Sequence, residues 1–253
     1  MSFEAGVDEV GRGPLAGPVY AAAVILDPKI KIKGLNDSKK LSKEKRNSLS
    51  DEIKENSLCW NIASVEREII DEINILQASL LAMKNAIKGL ETKPDLVLVD
   101  GNNELDIEIA SKAIINGDQE IECIMAASII AKVARDKFMT DIDDEYPEYG
   151  FKKHKGYGTQ EHLNLLKIYG PCNEHRDSFK PVIEAKKYNY SKFQYDLKIR
   201  SIVRDKLMTM NDKEIRIWLK TEETKSKDYA KELKKVLNEE WIFIRDCSKL
   251  RSF

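Results

Sequence analysis

Apolar and polar positions divide this chain into short blocks of distinct period. Residues from about Phe3 to Glu9, and from about Pro18 to Leu26, predict two strands, the second dense in Val, Ile, Ala and Tyr. Between them lies the turn sequence Gly11-Arg12-Gly13-Pro14. A basic stretch from Ser42 to about Glu55 has a helical texture, and Ser57 to Val65 predicts a third strand. From Glu66 to Leu90, Ile69, Ile73, Leu76, Leu80, Met83 and Ile87 recur at helical spacing, closing at Gly89. Pro94 then opens Leu96-Val97-Leu98-Val99-Asp100-Gly101, an apolar run that reads as a buried strand ending on an acid. A further short strand ends near Asn116-Gly117-Asp118, and Ile124 to about Asp144 is helical up to Pro147. Strands followed by strand–helix alternation predict an α/β sandwich, a sheet flanked by helices.

The texture changes near residue 188. Glycine does not occur after Gly170, nor proline after Pro181. Phe193, Leu197, Val203, Leu207 and Met210, then Ile215, Trp218 and Leu219, then Leu233, Val236 and Leu237 form helical apolar patterns crowded by Lys and Arg. Asn211 with Glu214 forms a capping box for the middle helix. Residues 1–188 therefore read as one domain and 189–253 as a helical, basic C-terminal extension.

Composition narrows the function classes. With 253 residues, 42 Lys and Arg and 43 Asp and Glu, the net charge is −1, which excludes a uniformly basic or supercharged chain. The balance is an average: residues 189–253 hold 16 basic and 11 acidic side chains, leaving residues 1–188 with an acidic excess. The longest apolar run, Val19 to Leu26, falls far short of the roughly 20 residues that span a bilayer. The N-terminus lacks a basic leader, and Cys59, Cys123, Cys172 and Cys247 show no finger spacing. A reducing cytoplasm without structural zinc is the expectation.

The chemistry falls to acids. Asp8 and Glu9 close a strand ahead of a glycine turn, Asp100 ends an apolar strand, and Asp118 follows a glycine. Strand ends in α/β sheets are where ligands gather. Taken singly, each acid reads more readily as a turn cap or solvated loop end, Asp100 least so because it sits at a core boundary. Four carboxylates at one edge would repel without cations, and oxygen donors suit two Mg²⁺ or Mn²⁺ ions, the arrangement that hydrolyses phosphodiesters. Asp136 competes for the fourth place, but Lys132 four residues earlier accounts for it as an ion pair, so Asp118 is preferred. Alternation places Asp8 and Glu9 on opposite faces unless the backbone bends there.

The remaining motifs are basic or glycine-rich. The turn at Gly11–Pro18 matches neither a phosphate-binding Walker loop nor a dinucleotide turn, but its glycines allow main chain to approach a sugar closely. Ser38, Lys39 and Lys40 offer a phosphate seat beside a helix start. His154 and Lys155 precede Tyr157, which stands between Gly156 and Gly158 and is suited to stacking. Arg176 belongs to another basic turn.

Together these blocks resemble the bacterial ribonuclease HII family. The likeness rests on Gly6–Pro14, Gly34–Leu41, Val99–Asn102, Ala126–Val133, Tyr149–Phe151 with His154–Tyr157, and His175-Arg176 with Ser178-Phe179 and Pro181-Val182, in family order over about residues 3–183. The Gly-Arg-Gly-Pro turn favours type HII over type HIII. The resemblance implies a ribonuclease H-like mixed β-sheet flanked by helices. It implies an endonuclease that cuts 5′ to ribonucleotides in RNA–DNA hybrids or in duplex DNA, leaving 3′-hydroxyl and 5′-phosphate ends, as in ribonucleotide repair and primer removal.

By motif position, Asp8, Glu9, Asp100 and Asp118 would hold two Mn²⁺ or Mg²⁺ ions. The main chain of Gly11, Arg12 and Gly13 would sense the 2′-hydroxyl, and Tyr157 would stack on the sugar. Ser38, Lys39 and Lys40 would meet phosphates, with His154, Lys155 and Arg176 as further substrate contacts. A monomer acting on nucleic acid and not on membranes is expected. A binding module without turnover is the alternative, and it is disfavoured because retained acids would repel the ligand. The family pattern does not cover residues 189–253, which are expected to pack on the catalytic domain, grip the duplex or recruit a protein partner.

Overall fold

The structure, a computed structural model, describes residues 2–238 except 228, with the side chains of 188–197, 204 and 208 left aside. Cys247 and the sequence-predicted pattern at Phe193 and Leu197 lie outside the described residues or side chains. The chain divides into two compact units, residues 1–186 and 187–253.

In the first unit, β1 (Glu4–Val10), β2 (Val19–Leu26), α1 (Lys43–Asn56), β3 (Ser57–Val65), α2 (Arg67–Lys88), β4 (Leu96–Asp100) and β5 (Ala110–Ile114) follow in order. After them come α3 (Gly117–Glu120), α4 (Glu122–Glu145), α5 (Phe151–His154) and α6 (Gln160–Tyr169). The strands form one mixed sheet in the order β3-β2-β1-β4-β5. β1 pairs antiparallel with β2 and parallel with β4, and β4 pairs parallel with β5. The expected α/β class and the flanking helices are both present.

Alternation along β1 sorts its residues between two cores. Ala5 and Val7 bury against α2, together with Ala78, Ala82 and Ala86. On the opposite face, Ala22 and Val24 of β2 pack on Ala126, Ala127, Ile130 and Ala131 of α4. Gly6 is what lets α4 come this close. A Cβ placed there would lie 2.2 Å from the Cys123 carbonyl carbon, so any side chain would push α4 off the strand.

The predicted single helix over 66–90 is broken. Asn74 has φ 69° and ψ 163°, and its side chain accepts hydrogen bonds from the amides of Leu76 and Gln77, capping a second helical segment. The phase shift exposes Ile69 and Leu76, which the spacing had placed on the buried stripe, and buries Ile70 and Ala78 instead. The fifth strand ends at Ile114, and Asp118 lies in the first turn of α3.

The helix α7 (Lys180–Thr209) is followed by α8 (Asp212–Lys225) and by helical residues 229–238. The Asn211–Glu214 capping box forms. In the second unit, Ile199 and Val203 of α7 share a core with Leu219 of α8 and with Leu233 and Val236. Among the described residues no helix is long and apolar enough to cross a membrane.

Candidate active site

Parallel pairing of β1 with β4 decides where the acids meet. Their register sets Val7 beside Val99, so Asp8 and Asp100, the next residues on each strand, come to the same carboxyl-end edge. Asp8 faces α4, in register with Ala22, and is 6% exposed. Burial, then the charges of Glu9 and Asp100, push its carboxyl well above the usual range. Ser128 of α4 and the Glu9 amide, the latter at 2.7 Å, donate to it in opposition. β1 continues through the Asp8–Glu9 pair to Val10 without the break that a shared face would need.

Burial also raises the Glu9 carboxyl, while Arg12, 3.3 Å away, lowers it. Asp100 is raised by burial, against a 3.1 Å hydrogen bond from the Asp118 amide that lowers it. Asp118, 5% exposed, faces Lys39 Nζ at 3.5 Å. Partial burial lowers Lys39, but the carboxylates of Asp118, Asp37 and Asp8 outweigh it and hold the amine above its ordinary value. Four carboxylates thus share one edge, and burial raises three of them, Asp8, Glu9 and Asp100, above the ordinary carboxylate value. Such a cluster calls for added positive charge, and its all-oxygen donors fit hard divalent cations. As placed, no three His, Cys, Asp or Glu side chains among the described residues converge closely enough to hold an ion. Glu9 and Asp118 face the chain's own Arg12 and Lys39 instead.

The glycine turn beside the acids is held from below by two guanidinium groups. Arg176 is fully buried. Its Nε donates to the Gly17 carbonyl at 2.8 Å, Nη1 to those of Arg12 and Pro14, and Nη2 to that of Gly11 at 2.6 Å. Arg135 donates to the carbonyls of Pro18, Ala16 and Lys155. Gly11 has φ 99°, and a Cβ there would sit 2.2 Å from Arg135 Nε, so the position requires glycine twice over. Burial lowers Arg135 to about 10 and Arg176 to about 9, and both stay charged at neutral pH. The turn is further stitched to the chain by Leu15 N to Gly156 O at 2.7 Å and Arg176 N to Leu15 O at 2.8 Å.

Several sequence-predicted contacts are placed differently from the expectation. Arg176, expected at the substrate, has its guanidinium engaged by carbonyls and no exposed surface. His154 is buried, with Nδ1 accepting from the Gly156 amide and Nε2 donating to the Tyr149 carbonyl. Lys155 turns its Nζ to the Asp136 carbonyl and to Thr140 Oγ1 at 2.7 Å. Tyr157, by contrast, is 41% exposed, and its ring lies over Gly13. Ser38 is buried and bonds Ser128 Oγ at 3.0 Å, linking its loop toward Asp8, while the side chains of Lys39 and Lys40 are exposed. Asp136 is taken by Lys132 at 2.5 Å and Arg46 at 3.7 Å.

Sequence reasoning missed Arg135, Ser128 and Arg46, whose Nη1 donates to the Ser38 carbonyl at 2.6 Å. A signal for the first did exist: Arg135 occupies the core stripe of α4 with Ile124, Ala131 and Met139, where a cation stands out. Arg46 lies in α1 beside Glu44 and Lys45, a helix of mixed charge in which one more cation gives none.

All three histidines form one buried group. The Cys172 amide donates to His175 Nδ1, so His175 Nε2 donates to His162 Nε2 at 3.0 Å, and His162 Nδ1 donates to the Tyr157 carbonyl at 2.9 Å. This directional chain needs neutral rings. Burial and then His162 hold His175 at about 3, and burial holds His162 at about 4. Both values lie below 6.5, so the unfolded chain binds more protons and stability is lost as pH falls from 6.5 toward 4. Counting one proton on each of the two rings, melts at pH 7.5 and 5.0 should differ by about 4 kcal/mol. A His162→Gln variant should lose about half of that difference, and an equal difference in the variant would exclude His162 as a source.

Comparisons with known proteins bear on the family and the fold. The family model described as Ribonuclease HII matches residues 5–182. A ribonuclease HII of Caldicellulosiruptor saccharolyticus is 56% identical over 177 residues, covering 70% of this chain and 86% of the relative. The crystal structure of ribonuclease H2 from Pyrococcus horikoshii OT3 superposes with a TM-score of 0.62 at 27% identity, over 73% of this chain and 97% of that one. A Bst ribonuclease HIII solved in complex with Mn²⁺ shares the fold, with a TM-score of 0.53 at 17% identity over 74% of this chain and 70% of that one. Sheet order, glycine turn and family match converge: the chain belongs to the ribonuclease HII family and is a nuclease of the ribonuclease H kind.

Proposed function

We propose that this nuclease hydrolyses the phosphodiester 5′ to ribonucleotides, in RNA–DNA hybrids or embedded in duplex DNA, with two Mg²⁺ or Mn²⁺ ions. The carrying observation is the meeting of Asp8 and Asp100 at adjacent parallel strand ends beside an exposed tyrosine and a glycine turn. Asp8, Glu9, Asp100 and Asp118 would hold the ions. When bound, these would supply Lewis-acid activation of water and of the scissile phosphate. The Mn²⁺ carried by the fold relative supports that choice.

The chain's own groups do the selecting. Main chain at Gly11, Arg12 and Gly13, fixed from beneath by Arg176, meets the 2′-hydroxyl, the group that separates RNA from DNA. Tyr157 stacks on the sugar from across Gly13. Lys39 and Lys40 reach phosphates from exposed positions, while Ser38 secures their loop. His154, Lys155 and Arg176 act as positioning residues. The test is a duplex bearing one ribonucleotide, incubated with Mg²⁺ or Mn²⁺ beside an all-deoxy control. Cleavage should occur once, leaving 3′-hydroxyl and 5′-phosphate ends; an intact duplex with folded protein would overturn the reading. Tyr157→Ala should lower kcat/KM about 10–100-fold, the worth of one stacking contact, with its melting temperature unchanged.

A further inference from the structure

The family match ends at residue 182, and the second unit carries a surface the match does not explain. On α8, Lys213, Arg216 and Lys220 are exposed at three- and four-residue spacing, opposite the buried Ile215. On helical residues 229–238, Lys231, Lys234 and Lys235 are exposed, opposite the buried Leu233 and Val236. The two stripes adjoin. Lys234 Nζ meets Glu223 of α8 at 3.1 Å, and Arg216 and Asn238 line one cleft of about 260 Å³. Glu223 and Lys234 neutralise each other, and among the described residues no carboxylate pairs with the other five cations.

Arg216 with Lys220, and Lys231 with Lys235, are like-charged neighbours one helical turn apart, an arrangement that costs stability in the free protein. A polyanion relieves that repulsion. Most apolar side chains of both helices pack into the unit's own core, and among the described residues only Ile217 stands exposed beside the cations, too little apolar surface to anchor in a lipid surface. From Lys213 to Lys220 the stripe runs about 10 Å, the rise of about three nucleotides of one strand.

We infer that this paired-helix face binds the phosphate backbone of duplex nucleic acid without reading sequence, adding grip to the catalytic unit. The choice of a duplex rests on the function proposed above. The test uses the full chain and a plain DNA duplex without ribonucleotides, with log Kd measured against log salt concentration. A variant combining Arg216→Gln, Lys220→Gln, Lys231→Gln and Lys235→Gln should flatten the slope by up to about 3.6, at about 0.9 per released counterion. Its Kd at low salt should rise at least tenfold, with kcat on a saturating ribonucleotide duplex unchanged. A charge-keeping set, Lys220→Arg, Lys231→Arg and Lys235→Arg, should retain the wild-type slope. An unchanged slope in the folded quadruple variant overturns the inference. So does a variant that loses binding to phosphatidylserine vesicles while its duplex slope stays the same. If the wild type cleaves nothing but the slope still flattens, the face binds duplex and the proposed reaction alone is wrong.

Discussion

Replacing Asp100 by Asn should slow cleavage of a ribonucleotide-containing duplex by about a thousandfold or more, equivalent to about 4 kcal/mol of barrier. The amide keeps the size of the side chain and an oxygen able to accept from the Asp118 amide, now at 3.1 Å. What it removes is one negative charge from an edge shared with Asp8, whose carboxyl is already pushed up by Asp100. Folding should therefore be unharmed or slightly improved, because a like-charge repulsion disappears, as is common where stability is sacrificed for activity. The measurement is single-turnover cleavage beside a thermal melt. Full activity would remove Asp100 from the site, whereas a large drop in melting temperature would recast it as structural.

Arg176→Ala should act in the opposite way, striking the fold first. The guanidinium satisfies the carbonyls of Gly11, Arg12, Pro14 and Gly17 in a place with no exposed surface. Each buried acceptor left without a donor costs about 1–3 kcal/mol. With partial relaxation, the loss should reach about 3–5 kcal/mol, or roughly 10 °C of melting temperature for a domain of this size. Arg176→Lys should recover only part of it, since an ammonium lacks the planar fork that reaches several carbonyls. At temperatures where the Lys variant is folded, its preference for a ribonucleotide over an all-deoxy junction should fall, because the turn is no longer fixed. A melting temperature within 2 °C of wild type in the Ala variant would refute the scaffold role.

These two residues mark the division between what the chain announces and what it conceals. Asp100 was legible because it terminates four apolar residues, and a charge at a core boundary departs from a local pattern. Arg176 was also visible, but as a basic residue in a turn, and its direction was misread. Its partners at Gly11 lie 165 residues away, so no window of sequence holds both ends of the bond. The same holds for the histidines, where His154 looked available for substrate and instead stacks on His162 with a ring separation of 4.3 Å. The helix over 66–90 failed for a local reason, since Asn74 outcompetes helix continuation by capping the next turn itself.

By itself the sequence determined the strands, the class of fold and the glycine turn, because each is written in side-chain period or in residue types that only one conformation tolerates. Tertiary structure alone decided that Asp8 and Asp100 meet, since strand pairing is set by the burial of whole faces. It also decided that two arginines turn inward to hold the turn, because the carbonyls they satisfy are brought together only when distant segments close over the same core.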